Sequence, residues 1–243
     1  MINELLFLSK NDIPFKEAQV NIHQPTIKEI SLIGEESFHI GCQFLNFSKD
    51  SLSGEDKIAL ENKSDFDIFM SIINSPQGDK YKFYTMLILT LLFPNFNLKF
   101  ATDKIILQQD NFITSINSNN FGAFKDIIVK MFALEQKNEE GKYNPSDGLA
   151  KKIAEKFEKR HKKLAEQKGV SLDKIAIFSR YVSILAVGNK KDINELMNYT
   201  VYQLKDEFKR FQLKQSFDIY LQAKMAGAKD LEEVDNWMDD IHP

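Results

Sequence analysis

The chain has 243 residues, of which 43% are hydrophobic and 20 are Phe; this composition excludes a disordered chain and supports one or two globular domains. The 32 basic and 35 acidic side chains leave a net charge of −3, which excludes a strongly cationic nucleic-acid binder. Only three of the basic residues are Arg, so base-specific recognition is not expected.

The N-terminal region predicts two short strands followed by a helix. The apolar run Leu5–Leu8 and the partly alternating segment Ala18–His23 are typical of short strands, and residues 11–14 between them are typical of a turn. Pro25-Thr26 is expected to begin a helix that continues to about Phe47, because apolar residues recur there at helical spacing.

Two helices and a hairpin are expected in the middle of the chain. Ser64 is typical of a helix N-cap, and Asp79–Phe93 predicts a largely buried helix. This apolar stretch is shorter than the ~20 residues that span a bilayer, so no membrane partner is expected. Alternating apolar residues predict a hairpin near residues 96–107, and Ser118 or Asn119 is expected to cap the next helix.

A polar segment over residues 137–147 is the best domain boundary in the sequence. We expect a mixed α/β N-terminal region over residues 1–141 and an all-helical C-terminal region over residues 142–243, packed either separately or as one domain. The expected C-terminal helices span about residues 145–169, 171–188, 192–196, 200–226 and 231–241. The long helix at about 200–226 begins at a capping box, Thr200–Gln203. The expected fold class is α+β, predominantly α-helical.

The sequence offers few groups for catalysis, and it lacks the common phosphate-binding, zinc and nucleophile-elbow motifs. Glu36–His39 and Glu158–His161 match the Glu-x-x-His pattern of di-iron bundles, but the second pair lies among five cations that disfavour a metal. The single cysteine, Cys42, lies on the apolar side of its expected helix, where a thiol is ordinarily inert. No catalytic residue, metal or cofactor is expected.

Charge is segregated along the chain into blocks of −6 (residues 1–141), +5 (142–168), +4 (169–229) and −6 (230–243). We interpret the basic helix expected at 149–168 first as a solvated face with i,i+4 ion pairs; an acidic protein partner and nucleic acid are the alternatives. The acidic tail carries the only tryptophan, Trp237, which either docks on the long helix or binds another protein.

Both ends of the sequence resemble a known family. The N-terminal similarity covers Ile22–Ile30 and Gly34–Phe38. The C-terminal similarity covers Thr200–Leu204, Phe208–Phe211, Ala226–Asp230 and Trp237. These segments are similar to the tail assembly chaperones of tailed phages, including the baseplate-hub assembly proteins of contractile tails. The shared positions are caps, turns and apolar stripes.

The resemblance implies a non-enzymatic assembly factor in the host cell cytoplasm. Such chaperones bind the long tape-measure protein, keep its apolar helices soluble, and help the tail-tube protein polymerise around it. The tape-measure protein is therefore the expected partner, with the tail-tube protein and a second copy of the chain as further candidates. The expected partner-binding residues are Lys152, Lys156, Lys159, Arg160, Lys163, Tyr202, Phe208 and Trp237.

Two alternative functions stay open at this point. The chain is either a structural tail or baseplate component of the virion, or a nucleic-acid-binding accessory protein that uses the basic helix at 149–168. Nucleic acid is the less expected partner. Its binding residues would be Lys151, Lys152, Lys156, Lys159, Arg160, Lys162 and Lys163.

Overall fold

The computed structural model of the chain describes residues 4–49, 62–75, 78–134, 177–227 and 234–238. With the exception of Ile177, these residues belong to one compact unit; a second unit, residues 135–177, lies otherwise outside the described residues. The described fold is α+β and predominantly helical, as expected, with two small antiparallel sheets in the N-terminal part and helices in the C-terminal part.

The N-terminal part contains a short helix, a hairpin and two consecutive helices. Their bounds are α1 (Leu5–Leu8), β1 (Ile13–Phe15), a 3-10 turn (Lys16–Ala18), β2 (Val20–Ile22), α2 (Ile27–Ile33) and α3 (Glu35–Leu45). Strands β1 and β2 pair antiparallel, with Ile13 opposite Ile22 and Phe15 opposite Val20. These four side chains are buried and alternate with exposed neighbours, so the hairpin presents one face to the core.

The strand expected at Leu5–Leu8 is wrong, because this segment is helix α1. A four-residue apolar run has no period that separates a helix from a strand. Distant side chains hold the helix in place: Gln24 Nε2 donates to the carbonyl oxygen of Leu6, and Gln203 Nε2 donates to that of Leu8.

The next two predictions are each confirmed in part. The strand expected at Ala18–His23 is β2, but its partner β1 includes part of the segment expected to be a turn. The helix expected from Pro25-Thr26 to Phe47 begins as predicted and is interrupted at Gly34. The φ of this residue is +85°, a conformation that glycine adopts without the steric cost other residues have, and α3 starts at the following residue.

The middle of the chain contains three helices and a three-stranded sheet. Their bounds are α4 (Asp65–Ile73), α5 (Asp79–Leu92), β3 (Asn97–Phe100), β4 (Ile105–Gln109), β5 (Phe112–Ile116) and α6 (Phe121–Met131). The N-cap expected at Ser64 and the hairpin expected near 96–107 are confirmed. Strand β5 was not predicted, because its buried and exposed side chains do not alternate.

The cap expected at Ser118 or Asn119 is wrong, since the N-cap of α6 is Asn120. The Asn120 side chain does not cap its own helix. It accepts a hydrogen bond from the backbone N–H of Asn117 and donates one to the carbonyl oxygen of Ser115. The side chain thus fixes the turn between β5 and α6.

The C-terminal part contains α7 (Ile177–Gly188), α8 (Ile193–Met197) and α9 (Val201–Met225). The ends expected at Gly188, Asp192 and Thr200 are confirmed. Residues 234–238 are irregular with a turn at 237–238, so the helix expected at 231–241 is wrong across them. The helix expected at 145–169 and the domain boundary at 141/142 lie outside the described residues and stay predictions.

One apolar core joins segments from both parts of the chain, and Phe38 of α3 lies within it. Its ring centroid is 4.8 Å from that of Phe132, which follows α6, and 5.7 Å from that of Phe178 in α7. The backbone N–H of Phe178 also donates to Glu35 Oε1 at 2.7 Å. Helix α7 is therefore fixed to α3 by both ring packing and a charge-assisted hydrogen bond.

Two helix N-termini meet where α2 and α9 begin. Thr26 and Thr200 form an isolated antiparallel bridge, and the backbone N–H of Ile27 donates to the carbonyl oxygen of Tyr199 at 2.9 Å. Each threonine also closes a capping box with the third residue of its helix, Glu29 or Gln203. The N–H groups of Ile27, Glu29 and Gln203, near the starts of the two helices, are thereby satisfied at one junction.

The carboxylate of Glu29 is stabilised by this junction. It accepts hydrogen bonds from the backbone and the hydroxyl of Thr26, and it lies 3.2 Å from His23 Nε2. Partial burial alone would raise the pKa of Glu29, but the hydrogen bonds from Thr26 and the charge of His23 outweigh it, so the pKa is below its ordinary value.

Gly41 of α3 allows close packing against α5, and this predicts a large effect of a single methyl group. A Cβ on Gly41 would lie 2.4 Å from Ile88 Cγ1 and 2.8 Å from the carbonyl oxygen of Tyr84. We expect Gly41→Ala to lower the free energy of unfolding by about 1–3 kcal/mol in urea denaturation, because the helices must separate. The control is Gly122→Ala in α6, which meets no atom within 4 Å and should leave stability unchanged or slightly higher. Equal effects would contradict this packing.

Glu29→Gln should reduce the dependence of stability on acid. Gln203 shows that glutamine can close the same capping box, so the variant removes the charge and keeps the acceptor. Because the pKa of Glu29 is lowered in the folded state, its contribution is present above the ordinary value of about 4.3 and is lost as the pH falls through the folded-state value. Urea denaturation from about pH 7 to pH 3 should show lower stability than wild type at neutral pH and a smaller loss on acidification. Parallel curves would contradict the prediction.

Candidate partner-binding surface

The first three turns of α9 belong to the core. Val201, Leu204 and Phe208 are buried and recur at steps of three or four residues, which places them on one side of the helix. Phe211 continues the same side and lies against Gly188, where an added Cβ would be 2.4 Å from the ring. This side of α9 is fully used for packing up to Phe211.

The remaining turns of α9 carry a second apolar stripe on the other side. Leu213, Phe217 and Tyr220 follow the same spacing, but the series begins two residues after Phe211. Two residues correspond to roughly 200° around a helix, so the second stripe points nearly opposite to the first. Its side chains are half-buried at most, and Leu221, next to Tyr220, is 40% exposed.

Cations are interspersed along this second stripe. Arg210, Lys214 and Lys224 fall on the same side of α9 by spacing. Arg210 Nε is 3.4 Å from Asp206 Oδ2, and Lys214 forms an ion pair with Asp218, four residues away in each case. We call this side of the helix the distal face. It comprises Arg210, Leu213, Lys214, Phe217, Tyr220, Leu221, Lys224 and Met225.

The tail touches one end of the distal face. Arg210 Nη1 donates a hydrogen bond to the carbonyl oxygen of Trp237 at 3.3 Å. Val234, Asn236 and Trp237 are half-buried. The contact agrees with the interpretation that the tail docks on the long helix, although residues 234–238 do so without forming a helix.

Two of the expected partner-binding residues lie inside the core. The Tyr202 ring is buried and stacks on Phe7 at 5.5 Å, and its hydroxyl donates to Glu4 Oε1. Phe208 is buried and stacks on Tyr181 at 3.8 Å. Both rings hold α9 against the rest of the fold, and a partner-binding role for them stays a prediction.

The cationic residues expected to bind a partner are not part of the described chain. Lys152, Lys156, Lys159, Arg160 and Lys163 lie outside the described residues, as does the whole basic helix expected at 149–168. Among the expected residues that the structure describes, only Trp237 lies beside the distal face. The other residues of that face are signalled in the sequence by the two-residue offset between the apolar stripes of α9.

One polar cluster of the described residues connects the loop around α8 to α9. Lys191 Nζ is 2.8 Å from Glu207 Oε2 and also donates to the Tyr199 hydroxyl, which fixes the loop around α8 to α9. Burial alone would lower the pKa of Lys191, but the hydrogen bonds to Glu207 and Tyr199 raise it. This lysine therefore stays charged and is not suited to act as a nucleophile.

The side chains of Cys42 and His39, which could in principle take part in catalysis, pack or pair within the fold. Cys42 is fully buried, and burial raises the pKa of its thiol, which disfavours the reactive thiolate. His39 pairs with Glu35 rather than Glu36, and Glu158–His161 lies outside the described residues. Within the described ranges, no three His, Cys, Asp or Glu side chains are grouped to hold a metal. No helix of that part of the chain is long and apolar enough to cross a membrane.

Comparison with known proteins gives one match. The family model of the YomV second domain matches residues 168–242, which is less than half of the chain and includes α7, α8, α9 and the tail. No curated protein and no solved structure shows significant similarity to this sequence. The matched family is phage-derived, so the match supports a phage-related protein, and the segment that carries it contains the distal face.

Proposed function

We propose that this chain is a non-enzymatic phage tail assembly chaperone that binds the tape-measure protein in the host cell cytoplasm. The observation that carries the proposal is the distal face of α9. It is an apolar stripe interspersed with cations, and it lies on the half of the helix that follows the core-packing residues 201–211. Leu221 and Met225 on this face are 40% and 87% exposed.

A face of this kind suits a helical ligand. Apolar side chains at steps of three and four residues pack against a second amphipathic helix laid alongside. Met225 adds an adaptable side chain that accommodates different neighbours, as a chaperone for a long helical protein requires. The cations on this face add steering and solubility. Binding alone performs this function, so no catalytic group is needed.

The phage-related match supports the proposal in a second way. It covers the segment that contains the distal face, which ties the candidate surface to a family of phage origin. The finer assignment to tail assembly rests on the resemblance of the capping-box and apolar-stripe segments at both ends of the chain.

Co-expression with the tape-measure protein of the same genome tests the proposal. We expect the wild-type chain to co-purify at a fixed ratio and to raise the soluble fraction of the tape-measure protein. Leu221→Asp should weaken the complex at least about tenfold, because a charge would be buried against the apolar ligand. Binding is measured by pulldown and by titration of the purified components.

The matched control is Ile219→Asp. Ile219 is 64% exposed on the same half of α9, but it points away from the distal face, so its variant should bind as wild type does. Thermal unfolding of both variants checks that α9 is intact. Absence of any complex with the wild-type chain would refute the proposal. Recovery of the chain from purified virions would favour the alternative of a structural tail or baseplate component.

A further inference from the structure

The tail lies beside α9, well before the end of that helix. The helix ends at Met225, and Gly227 follows with a φ of +87°. Arg210 lies fifteen residues before Met225, which is roughly 22 Å along the helix at 1.5 Å per residue. Because Arg210 holds the carbonyl oxygen of Trp237, residues 234–238 lie about four turns back from the helix end.

The burial of the distal face decreases away from this contact. Leu213, Phe217 and Tyr220, which follow Arg210, are half-buried, whereas Leu221 and Met225 nearer the helix end are exposed. On the tail, the apolar side chains of Val234 and Trp237 are half-buried. The Arg210 end of the distal face is therefore the more covered end, and it is the end that the tail touches.

The charges of the two segments also favour contact between the tail and the distal face. Residues 230–243 carry six acidic side chains and no Lys or Arg, whereas α9 carries five basic and three acidic residues. The cations Arg210, Lys214 and Lys224 all lie on the distal face. An acidic segment with an aromatic anchor thus matches an apolar stripe that also carries cations, in both charge and hydrophobicity. The family match also runs from α7 through residue 242, so the tail belongs to the same matched segment as the helices.

We propose that the tail segment around Trp237 is an intramolecular competitor for the distal face. It occupies the Arg210 end, and the partner that displaces it has the same chemistry: an acidic segment with an aromatic side chain. This inference rests on the proposed function. It adds how binding at the distal face is regulated and which class of ligand binds there. A tethered competitor has a high effective concentration, so only a partner segment that binds the whole face displaces it.

Trp237 is the only tryptophan of the chain, so its fluorescence reports tail docking in the intact protein. We expect Arg210→Ala, or salt raised to about 1 M, to increase the acrylamide quenching of Trp237 about twofold and to shift its emission to the red. The matched control is Arg180→Ala, an exposed arginine of α7, which should leave both readouts unchanged. Equal quenching in wild type and Arg210→Ala would overturn the inference.

A peptide with the sequence of residues 229–243 tests the ligand class without any partner protein. The labelled peptide should bind the full-length Trp237→Ala variant several-fold more tightly than wild type, because that variant vacates the face. The same peptide with alanine in place of Trp237 should bind at least several-fold more weakly. Equal binding of the two peptides would overturn the assignment of an aromatic anchor.

The tape-measure protein then separates the two proposals. The Trp237→Ala variant should bind the tape-measure protein several-fold more tightly than the wild-type chain does. Addition of the tape-measure protein to the wild-type chain should raise the acrylamide quenching of Trp237. If Arg210→Ala releases the tail but no tape-measure complex forms, tail docking stands and the proposed function fails. If the complex forms while the fluorescence of Trp237 does not respond to Arg210→Ala, the proposed function stands and the role of the tail as a competitor fails.

Discussion

The antiparallel bridge between Thr26 and Thr200 links the N-terminal hairpin region to α9. In each capping box the threonine hydroxyl accepts from the N–H of the third helical residue, and the side chain of that residue accepts from the threonine N–H. The bridge and the hydrogen bond from Ile27 to Tyr199 fix where α9 begins and in which direction it leaves the core. Every later position on α9 follows from this start by regular helical geometry.

That geometry separates packing from the candidate binding surface. The core stripe of α9 runs from Val201 to Phe211, and Gly188 provides the space that the Phe211 ring fills. The next apolar series begins at Leu213 and points to the opposite side. One continuous helix therefore anchors the fold with its first half and carries an apolar face with interspersed cations on its second half. The tail contact at Arg210 lies near the boundary between the two halves.

The parts of this fold that depend on local chemistry could be predicted from the sequence, and the parts that depend on distant contacts could not. The capping boxes at Thr26 and Thr200 are visible because donor and acceptor are three residues apart. Helix α1 depends on side chains as distant as Gln203, and strand β5 depends on its pairing with β4. On the candidate surface, the two stripes of α9 are visible in the sequence, whereas the contact from Arg210 to Trp237 joins residues 27 positions apart.

The two-residue offset in α9 has a consequence for how related sequences can diverge. The apolar residues of α9 up to Phe211 pack in the core and those after it form the distal face, so the two groups of side chains can change independently. The number of residues between the two groups cannot change in the same way. An insertion or deletion of two residues after Phe211 would rotate the second stripe onto the side of the first and would remove the distal face without disturbing a single core contact. Selection should therefore preserve the number of residues between the two stripes of α9. It should preserve this number more strictly than the identity of any residue of the second stripe.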